Sequence, residues 1–153
     1  MDPNPEATAF EHQTVKNLIE LLILSLLASN STERRRRIES YAQHLQRKTL
    51  AADIVVYLKD NLDRKLLLSD IAEHFAYSPS SIKRIFKNEM GCSITDYLTD
   101  LRIRTARELL KHKGKIAEIA EATGFDTVNY FSSVFKRKTG MTPSEFRARH
   151  SST

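Results

Sequence analysis

The side chains best suited to chemistry share one face of the segment 79–90, where they are polar or cationic. Apolar residues recur in this segment at the 3.6-residue period of an α-helix, which leaves an opposite face of hydrogen-bonding groups. The guanidinium of Arg84 can donate a fork of hydrogen bonds to O6 and N7 of guanine, and Lys83 can bind guanine or a phosphate. The pattern indicates a helix that can bind a nucleic acid. Its exposed face comprises Ser80, Ser81, Lys83, Arg84 and Lys87.

A second segment, 127–138, offers a comparable face. The amide of Asn129 can pair with adenine, and Val128 offers an apolar contact to a thymine methyl group. The rest of this face comprises Thr127, Ser132, Ser133 and Lys136. Lys87 and the run Lys136–Lys138 lie later in their helices. They suit the neutralisation of backbone phosphates, which is independent of base sequence and sensitive to salt.

Residue patterns of enzymes and metal sites are poorly represented in the chain. Five histidines are scattered without the spacing of metal ligands, and neither a phosphate-binding glycine loop nor a nucleophile elbow occurs. Cys92 is the single cysteine, which excludes an internal disulfide and fits a reducing compartment. We therefore expect a protein that is not an enzyme, with no catalytic residue, no metal and no cofactor.

The formal net charge of +5 is unevenly distributed over the 153 residues. The first 30 residues carry four carboxylates and one lysine, so the basic excess lies in the remainder and favours phosphate-bearing partners. No basic and then apolar leader follows Met1, and the apolar stretch Leu18–Ala28 is shorter than the about 20 residues that span a bilayer. We expect a cytoplasmic protein that does not enter a membrane.

The second half of the chain contains an internal repeat. The run Asp70–Glu73 matches Glu118–Glu121 at an offset of 48 residues, with a hydrophobic and a small residue in the middle of each run. Further along, the offset becomes 49, which pairs Phe86 with Phe135, and an apolar register is kept across this insertion. Other pairs at the larger offset are Ile85 with Val134, Lys87 with Lys136, and Gly91 with Gly140. The sequence therefore predicts a duplicated structural unit.

Each copy has the sequence features of a helix-turn-helix, and the whole chain is expected to be all-α. In the first unit, at about 66–91, a short helix over Ser69–Ala76 leads through a turn to a helix beginning at Pro79. The second unit, at about 115–140, turns at Gly124 and starts its next helix with Asp126 or Thr127 as the N-cap. A long amphipathic helix over about 94–113 joins the two units. Finally, Thr142 to Glu145 form a capping box.

Residues 1–48 are expected to form a separate helical region. A strongly apolar helix is predicted over Glu11–Ser29 and a second from near Glu33, and a third helix, over Leu50–Leu62, follows this region. The first is so apolar that it must be covered on more than one side. It either packs within its own domain, forms a dimer interface, or contacts a domain missing from this sequence. The dimer interface would consist of Val15, Leu18, Ile19, Leu22 and Leu26.

From about Leu50 to Arg149 the sequence resembles the AraC/XylS family of bacterial transcription regulators. The resemblance rests on five groups of residues: Ile71-Ala72; Tyr77-Ser78-Pro79 with Arg84-Ile85-Phe86-Lys87; Tyr97-Leu98 with Arg102, Ala106 and Leu109-Leu110; Ile116-Ala117-Glu118-Ile119-Ala120 with Gly124-Phe125; and Tyr130-Phe131, Phe135-Lys136 and Gly140–Arg147. It implies a DNA-binding domain over 49–150, in which two homeodomain-like helix-turn-helix subdomains dock in successive major-groove segments.

The resemblance also implies roles for individual residues. By their positions, the residues expected to read bases are Ser80, Lys83, Arg84, Val128, Asn129 and Ser133. The residues expected to contact the DNA backbone are Ser78, Ser81, Lys87, Thr127, Ser132, Lys136, Arg137 and Lys138. Two positions depart from the family pattern. Ser133 stands where arginine is common, which predicts that the second unit either reads bases weakly or mostly holds phosphates. Ala76 replaces a common glycine, a change that is tolerable if its φ stays negative.

The expected partners are double-stranded promoter DNA and RNA polymerase, since activation is the tendency of the family. A homodimer through the N-terminal helix is a further expectation. Family members often carry a ligand-sensing domain, and residues 1–48 contain no barrel-like strands that would form one. The alternative to DNA binding is a helical module whose helix-turn-helix surfaces bind a protein. Steep salt dependence of duplex binding would distinguish the two, because it reports phosphate contacts.

Overall fold

The computed structural model describes residues 15–25, 32–112 and 114–150. Within them every regular element is an α-helix, which confirms the all-α fold class. The helices are α1 (15–25), α2 (Thr32–Asp60), α3 (Leu68–His74), α4 (Pro79–Met90), α5 (Ile94–Leu110), α6 (Ile116–Ala122), α7 (Val128–Thr139) and α8 (Pro143–His150). The chain forms two compact units, one up to Leu50 and one from Ala51 onwards.

Helix α2 corrects one prediction. Separate helices were expected from Glu33 and over Leu50–Leu62, but the structure has a single helix of 29 residues. The stretch from Gln46 to Ala51 contains no glycine or proline, so nothing in it interrupts the backbone hydrogen bonds of a helix. The predicted domain boundary at residues 48 and 49 therefore falls inside a continuous helix.

The first helix-turn-helix is formed by α3 and α4, which pack against one another. Ile71 and Ala72 of α3 and Ile82 and Phe86 of α4 are almost completely buried. Ile54 and Leu58, in the last part of α2, are also inaccessible to solvent. Ala72 is 2% exposed in the contact between α3 and α4, where a small side chain lets two helices pack.

The second helix-turn-helix is formed by α6 and α7, with α8 closing its core. The buried cluster here contains several phenylalanines. The ring centroids of Phe131 and Phe135 lie 5.6 Å apart, and those of Phe135 and Phe146 lie 5.5 Å apart. Such edge-to-face pairs add about 0.5–1.5 kcal/mol beyond the burial of their area. The other buried residues of the cluster are Ile103, Ala106, Leu110, Ile119, Ala120, Phe125 and Val134.

Helix α5 joins the two subdomains. It packs against α4 and also against α6, α7 and α8. Its buried residues therefore contribute to the packing of both subdomains. They are Ile94, Leu98, Leu101, Ile103, Ala106 and Leu110. The helix ends at Leu110 rather than at the predicted residue 113. Through this packing, α5 connects the two subdomains.

The turn after the first helix is the same in both units. The Ala76 N–H donates to the Glu73 carbonyl at 3.0 Å and the Tyr77 N–H to the Ala72 carbonyl at 2.9 Å, which is the Schellman arrangement. Gly124 holds the equivalent position in the second unit, with φ of 73°. Ala76 has φ of 56°. The condition of a negative φ is therefore not met, because the Schellman turn requires the left-handed region whichever residue occupies it.

Candidate nucleic-acid interface

The first candidate recognition helix, α4, begins at a serine cluster. Ser78 is the N-cap, and its Oγ accepts a hydrogen bond from the Ser81 N–H at 3.2 Å. The Ser78 hydroxyl also donates to Ser81 Oγ at 2.9 Å and lies 3.2 Å from Ser80 Oγ. Pro79 occupies the first helical position, where its missing N–H has no cost. The start of α4 is therefore fixed by local contacts, as the sequence predicted.

The two faces of α4 separate the core from the candidate interface. Ile82 and Phe86 have no exposed surface, whereas Ser80, Lys83 and Arg84 are all exposed. Because the buried residues fix the rotation of the helix about its axis, the exposed residues must project away from the core. The structure thus groups the three predicted base-reading residues of the first unit on one surface.

Helix α7 repeats this arrangement in the second unit. Thr127 is the N-cap and accepts from the Tyr130 N–H at 3.2 Å, which decides between the two residues that the sequence left open. Phe131, Val134 and Phe135 form the buried face. The predicted base-reading residues Val128, Asn129 and Ser133 lie on the exposed face.

The Ser133 hydroxyl already has a partner within the helix. It donates to the Asn129 carbonyl at 3.0 Å, one turn earlier. A serine bonded in this way keeps only acceptor capacity for an outside ligand. With its proton engaged within the helix, the Ser133 hydroxyl offers an outside ligand fewer hydrogen bonds than a free hydroxyl would.

The residues predicted to contact the DNA backbone are not equally free to do so. Ser78, Lys87, Thr127, Lys136 and Arg137 are exposed, while Ser81 and Ser132 are half-buried. Lys138 forms an ion pair with Asp100, with 2.7 Å between Nζ and the carboxylate. This ion pair joins α7 to α5, so the charge of Lys138 is already balanced by the Asp100 carboxylate in the protein without DNA.

Helices α4 and α7 also differ from their neighbours in the charge of the first turn. Among the helices described from Thr32 onwards, α4 and α7 have no acidic residue there, whereas each of the others has one. Those residues are Glu33, Asp70, Asp96, Glu118 and Glu145. A carboxylate would neutralise the positive end of the helix dipole and repel a phosphate. The two candidate recognition helices are the ones with no carboxylate in the first turn, and in α7 the exposed Asp126 stands just before the Thr127 cap.

Tyr130 is a surface residue of α7 that is not among the predicted DNA contacts. Its side chain is 57% exposed at the first turn of α7, next to Asn129, and its ring centroid lies 6.0 Å from that of Phe125. The signal was present in the sequence, because Phe131 takes the buried position and the adjacent residue must then point elsewhere. An exposed phenol at this place can donate to a phosphate or a base edge.

Arg102 is a half-buried residue of α5 that lies between the subdomains. Its Nε donates to the Leu62 carbonyl at 2.8 Å and its Nη2 to the Arg64 carbonyl at 2.6 Å. Its guanidinium carbon lies 5.8 Å from the centroid of the Phe125 ring. Burial lowers the pKa of Arg102, and the carboxylate of Asp126 opposes that shift. In the sequence, Arg102 stands out only as part of the family resemblance. Its hydrogen bonds could not be predicted, because the carbonyls that accept them lie about 40 residues earlier in the chain.

Residues 15–25 form a helix most of whose apolar side chains are exposed. Val15, Leu18, Ile19 and Leu22 are each exposed by half or more. Leu26, the fifth residue of the predicted dimer interface, lies outside the described residues.

In the described part of the chain no helix is long and apolar enough to cross a bilayer, and no three potential ligands among His, Cys, Asp and Glu come together to hold a metal.

Comparison with known proteins gives the family. A family model described as a helix-turn-helix domain matches residues 71–149. An uncharacterized HTH-type transcriptional regulator of Bacillus subtilis is 36% identical over 141 residues, which cover 92% of this chain and 44% of that protein. The transcriptional activator RhaR of Salmonella schwarzengrund is 37% identical over 102 residues, which cover 66% of this chain and 36% of that protein. The chain thus spans less than half the length of either relative.

A solved structure gives the same result. The regulator with an AraC-type DNA-binding domain from Chromobacterium violaceum superposes with a TM-score of 0.61 at 30% identity, covering 72% of this chain and 97% of that one. The region that the family model matches, residues 71–149, includes both candidate recognition helices, α4 and α7. The chain therefore belongs to the AraC/XylS family of DNA-binding transcription regulators.

Proposed function

We propose that this regulator binds promoter DNA by inserting α4 and α7 into successive segments of the major groove. The observation that carries the proposal is the repetition of one exposed polar face at the same place in two equivalent units. Each face follows a side-chain N-cap and a first turn without a carboxylate. Such a helix end can hold a phosphate while the next turn reaches the bases.

The first unit is proposed to supply most of the sequence discrimination. Arg84 and Lys83 are exposed on α4, and a forked contact from arginine to guanine discriminates by about 1–3 kcal/mol. In the second unit the hydroxyl of Ser133 is bonded within the helix, which leaves Asn129 as its main hydrogen-bonding reader. The second unit is therefore proposed to read fewer bases and to hold the backbone through Lys136 and Arg137.

The test is the selection of binding sites from a pool of random duplexes at moderate salt, followed by sequencing. Two enriched blocks about one helical turn, or roughly 10 base pairs, apart are expected. Arg84→Ala should relax the base preference in one block alone, with a loss of about 5-fold to 150-fold for the preferred site. An Arg84→Ala protein that keeps the full preference in both blocks would contradict the assignment.

Lys87→Ala is the matched control, because Lys87 is exposed on the same helix one turn beyond Lys83. It should weaken binding to all sequences alike and reduce the salt dependence by about one phosphate contact. A single enriched block would mean that α7 does not read bases. No enrichment, together with weak salt dependence, would favour the alternative of a module that binds protein.

Activation is the proposed outcome of binding, with RNA polymerase as the partner at the promoter. It is supported by the relative named as a transcriptional activator, which shares 37% of residues over the matched region. Transcription in vitro from a promoter carrying the selected site should rise when the protein is added. A fall in transcription from the same template would make the regulator a repressor at that site.

We also propose that a second copy of the chain covers the exposed apolar face of α1. Leu18 and Leu22 are 55% and 64% exposed, and burial of such side chains is favourable by about 25 cal/mol per Å². Sedimentation over a concentration series should show a dimer that Leu18→Glu dissociates. A monomer at high micromolar concentration would contradict this proposal without affecting the proposal for DNA.

A further inference from the structure

We propose that Arg102 fixes the placement of the second DNA-reading helix relative to the first and thereby sets the spacing between the two base blocks that the regulator accepts. Arg102 touches no DNA in this proposal and acts as a positioning residue. The inference rests on the proposed use of both α4 and α7, and it adds the residue that holds the two units in register.

The contacts of Arg102 reach both subdomains from the joining helix. The residue lies on α5, and its guanidinium donates to the carbonyls of Leu62 and Arg64, which belong to the segment between α2 and α3. On the other side it lies against the ring of Phe125, in the turn between α6 and α7. One side chain therefore connects the entry to the first helix-turn-helix with the turn of the second.

The second contact between the subdomains lies beside this side chain. A Cβ atom built on Gly124 would lie 2.3 Å from the Leu62 carbonyl oxygen and 2.6 Å from Nη2 of Arg102. The turn of the second unit thus approaches the segment after α2 more closely than any residue with a side chain would allow. Glycine suits position 124 for two reasons: it adopts the positive φ without strain, and it has no Cβ to prevent this close approach.

The chemistry of the contact favours arginine over other cations. The guanidinium presents several donors in a rigid plane, so that it can bond two carbonyls and still stack on an aromatic ring. The carboxylates of Asp63 and Asp126, from the two subdomains, both attract this charge. Lysine would keep the charge but could not present the planar fork, and methionine would keep only the apolar stem.

Placement of the two reading helices determines which DNA they fit together. A shift of one base pair moves the second block by about 3.4 Å along the helix axis and by about 35° around it. If the subdomains are held rigidly, the protein or the DNA must distort to follow that shift, which costs affinity. If they are held only by the packing of α5, the second subdomain can move and recover part of the loss.

The experiment compares duplexes carrying both selected blocks at the preferred spacing and at spacings one base pair shorter and longer. For the unaltered protein, affinity should fall about tenfold on a shift of one base pair, a cost similar to that of one mismatched pair. For Arg102→Met this penalty should shrink to about threefold or less, and Arg102→Lys should lie between the two. Arg104→Met is the matched control, since it removes an exposed arginine from the same helix and should keep the full penalty.

The outcomes separate this inference from the proposed function. No spacing dependence in the unaltered protein would refute the joint use of α4 and α7. A normal spacing dependence that Arg102→Met leaves unchanged, or equal weakening at every spacing, would overturn the role of Arg102 alone. If circular dichroism shows that Arg102→Met does not fold, Arg102→Lys takes its place in every comparison.

A measurement without DNA tests the same inference. Spin labels can be placed on cysteines at Asn88 of α4 and Arg137 of α7, both exposed, in a protein whose Cys92 is replaced by serine. The distribution of distances between the labels should be narrow in the labelled protein and broader or shifted after Arg102→Met. An unchanged distribution would overturn the proposal whatever the behaviour toward DNA.

Discussion

Replacement of Ala76 by glycine should stabilise this protein, although glycine normally destabilises a folded chain. Ala76 has φ of 56°, a region that costs an alanine about 1–2 kcal/mol because its Cβ approaches the backbone. The hydrogen bonds from the N–H groups of Ala76 and Tyr77 to the turn before them hold the residue in that conformation. The folded protein therefore carries strain that glycine would remove.

The size of the effect is the difference between two opposing terms. Relief of strain in the folded state is worth about 1–2 kcal/mol, whereas the greater freedom of glycine in the unfolded chain costs about 0.4–1 kcal/mol. Ala76 is exposed, so little buried surface is lost with its methyl group. The net stabilisation should be about 0.5–1 kcal/mol, or a rise of about 2–5 °C in the melting temperature.

Urea unfolding followed by circular dichroism measures this difference. Ala76→Gly should move the midpoint to higher urea with an unchanged slope, since a changed slope would indicate an altered denatured state. Ala122→Gly is the matched control, because Ala122 is exposed in α6 and helical. It should destabilise by about 0.5–1 kcal/mol.

The second unit supplies the reciprocal experiment. Gly124→Ala places a Cβ in the same left-handed conformation and also against the Leu62 carbonyl. It should destabilise by more than the about 1–2 kcal/mol of the conformational term alone. The reasoning would be refuted if Ala76→Gly destabilised the protein as Ala122→Gly does, because the turn would then not hold Ala76 at positive φ.

Two further predictions concern helix ends. Thr127→Ala removes the acceptor of the Tyr130 N–H and should lower the free energy of unfolding, measured in urea, by about 0.5–2 kcal/mol. Thr127→Ser keeps the acceptor and should be nearly neutral. Equal losses of stability from both changes would show that the cap hydrogen bond contributes nothing. Hydrogen bonds from the Thr142 N–H and hydroxyl lower the pKa of Glu145 below its ordinary value of 4.5. Its contribution to stability is thus complete above pH 4.5 and is lost as the pH falls through the lowered pKa, so Glu145→Gln should flatten the acid limb of the stability profile. An acid limb of unchanged steepness in that variant would assign the pH dependence to other carboxylates.

Much of the fold could be predicted because it depends on short-range patterns. The buried faces of α4 and α7 follow the helical period, as Ile82 and Phe86 illustrate, and these faces determine which residues are exposed. The helix starts at Ser78 and at the Thr142 capping box depend on residues three positions apart. The duplication was visible because two copies keep the same apolar register across one inserted residue.

The helix boundaries were predicted less well where local signals were weak. The region around Thr49 contains neither a strong breaker nor a strong cap, and two helices were expected where α2 is continuous. The conformation of Ala76 was also left open by the sequence. Alanine prefers a negative φ, and it is the hydrogen bonds of the turn that force the positive value.

By itself, the sequence determined the all-α class, the two helix-turn-helix units and the polar faces of α4 and α7, since each depends on residues within a few turns of one another. The tertiary structure decided which of those residues are free. It paired Lys138 with Asp100, across 38 positions, and joined Arg102 to the carbonyls of Leu62 and Arg64. Such contacts depend on how helices cross, and the crossing is set by the summed packing of the core rather than by any local run of residues.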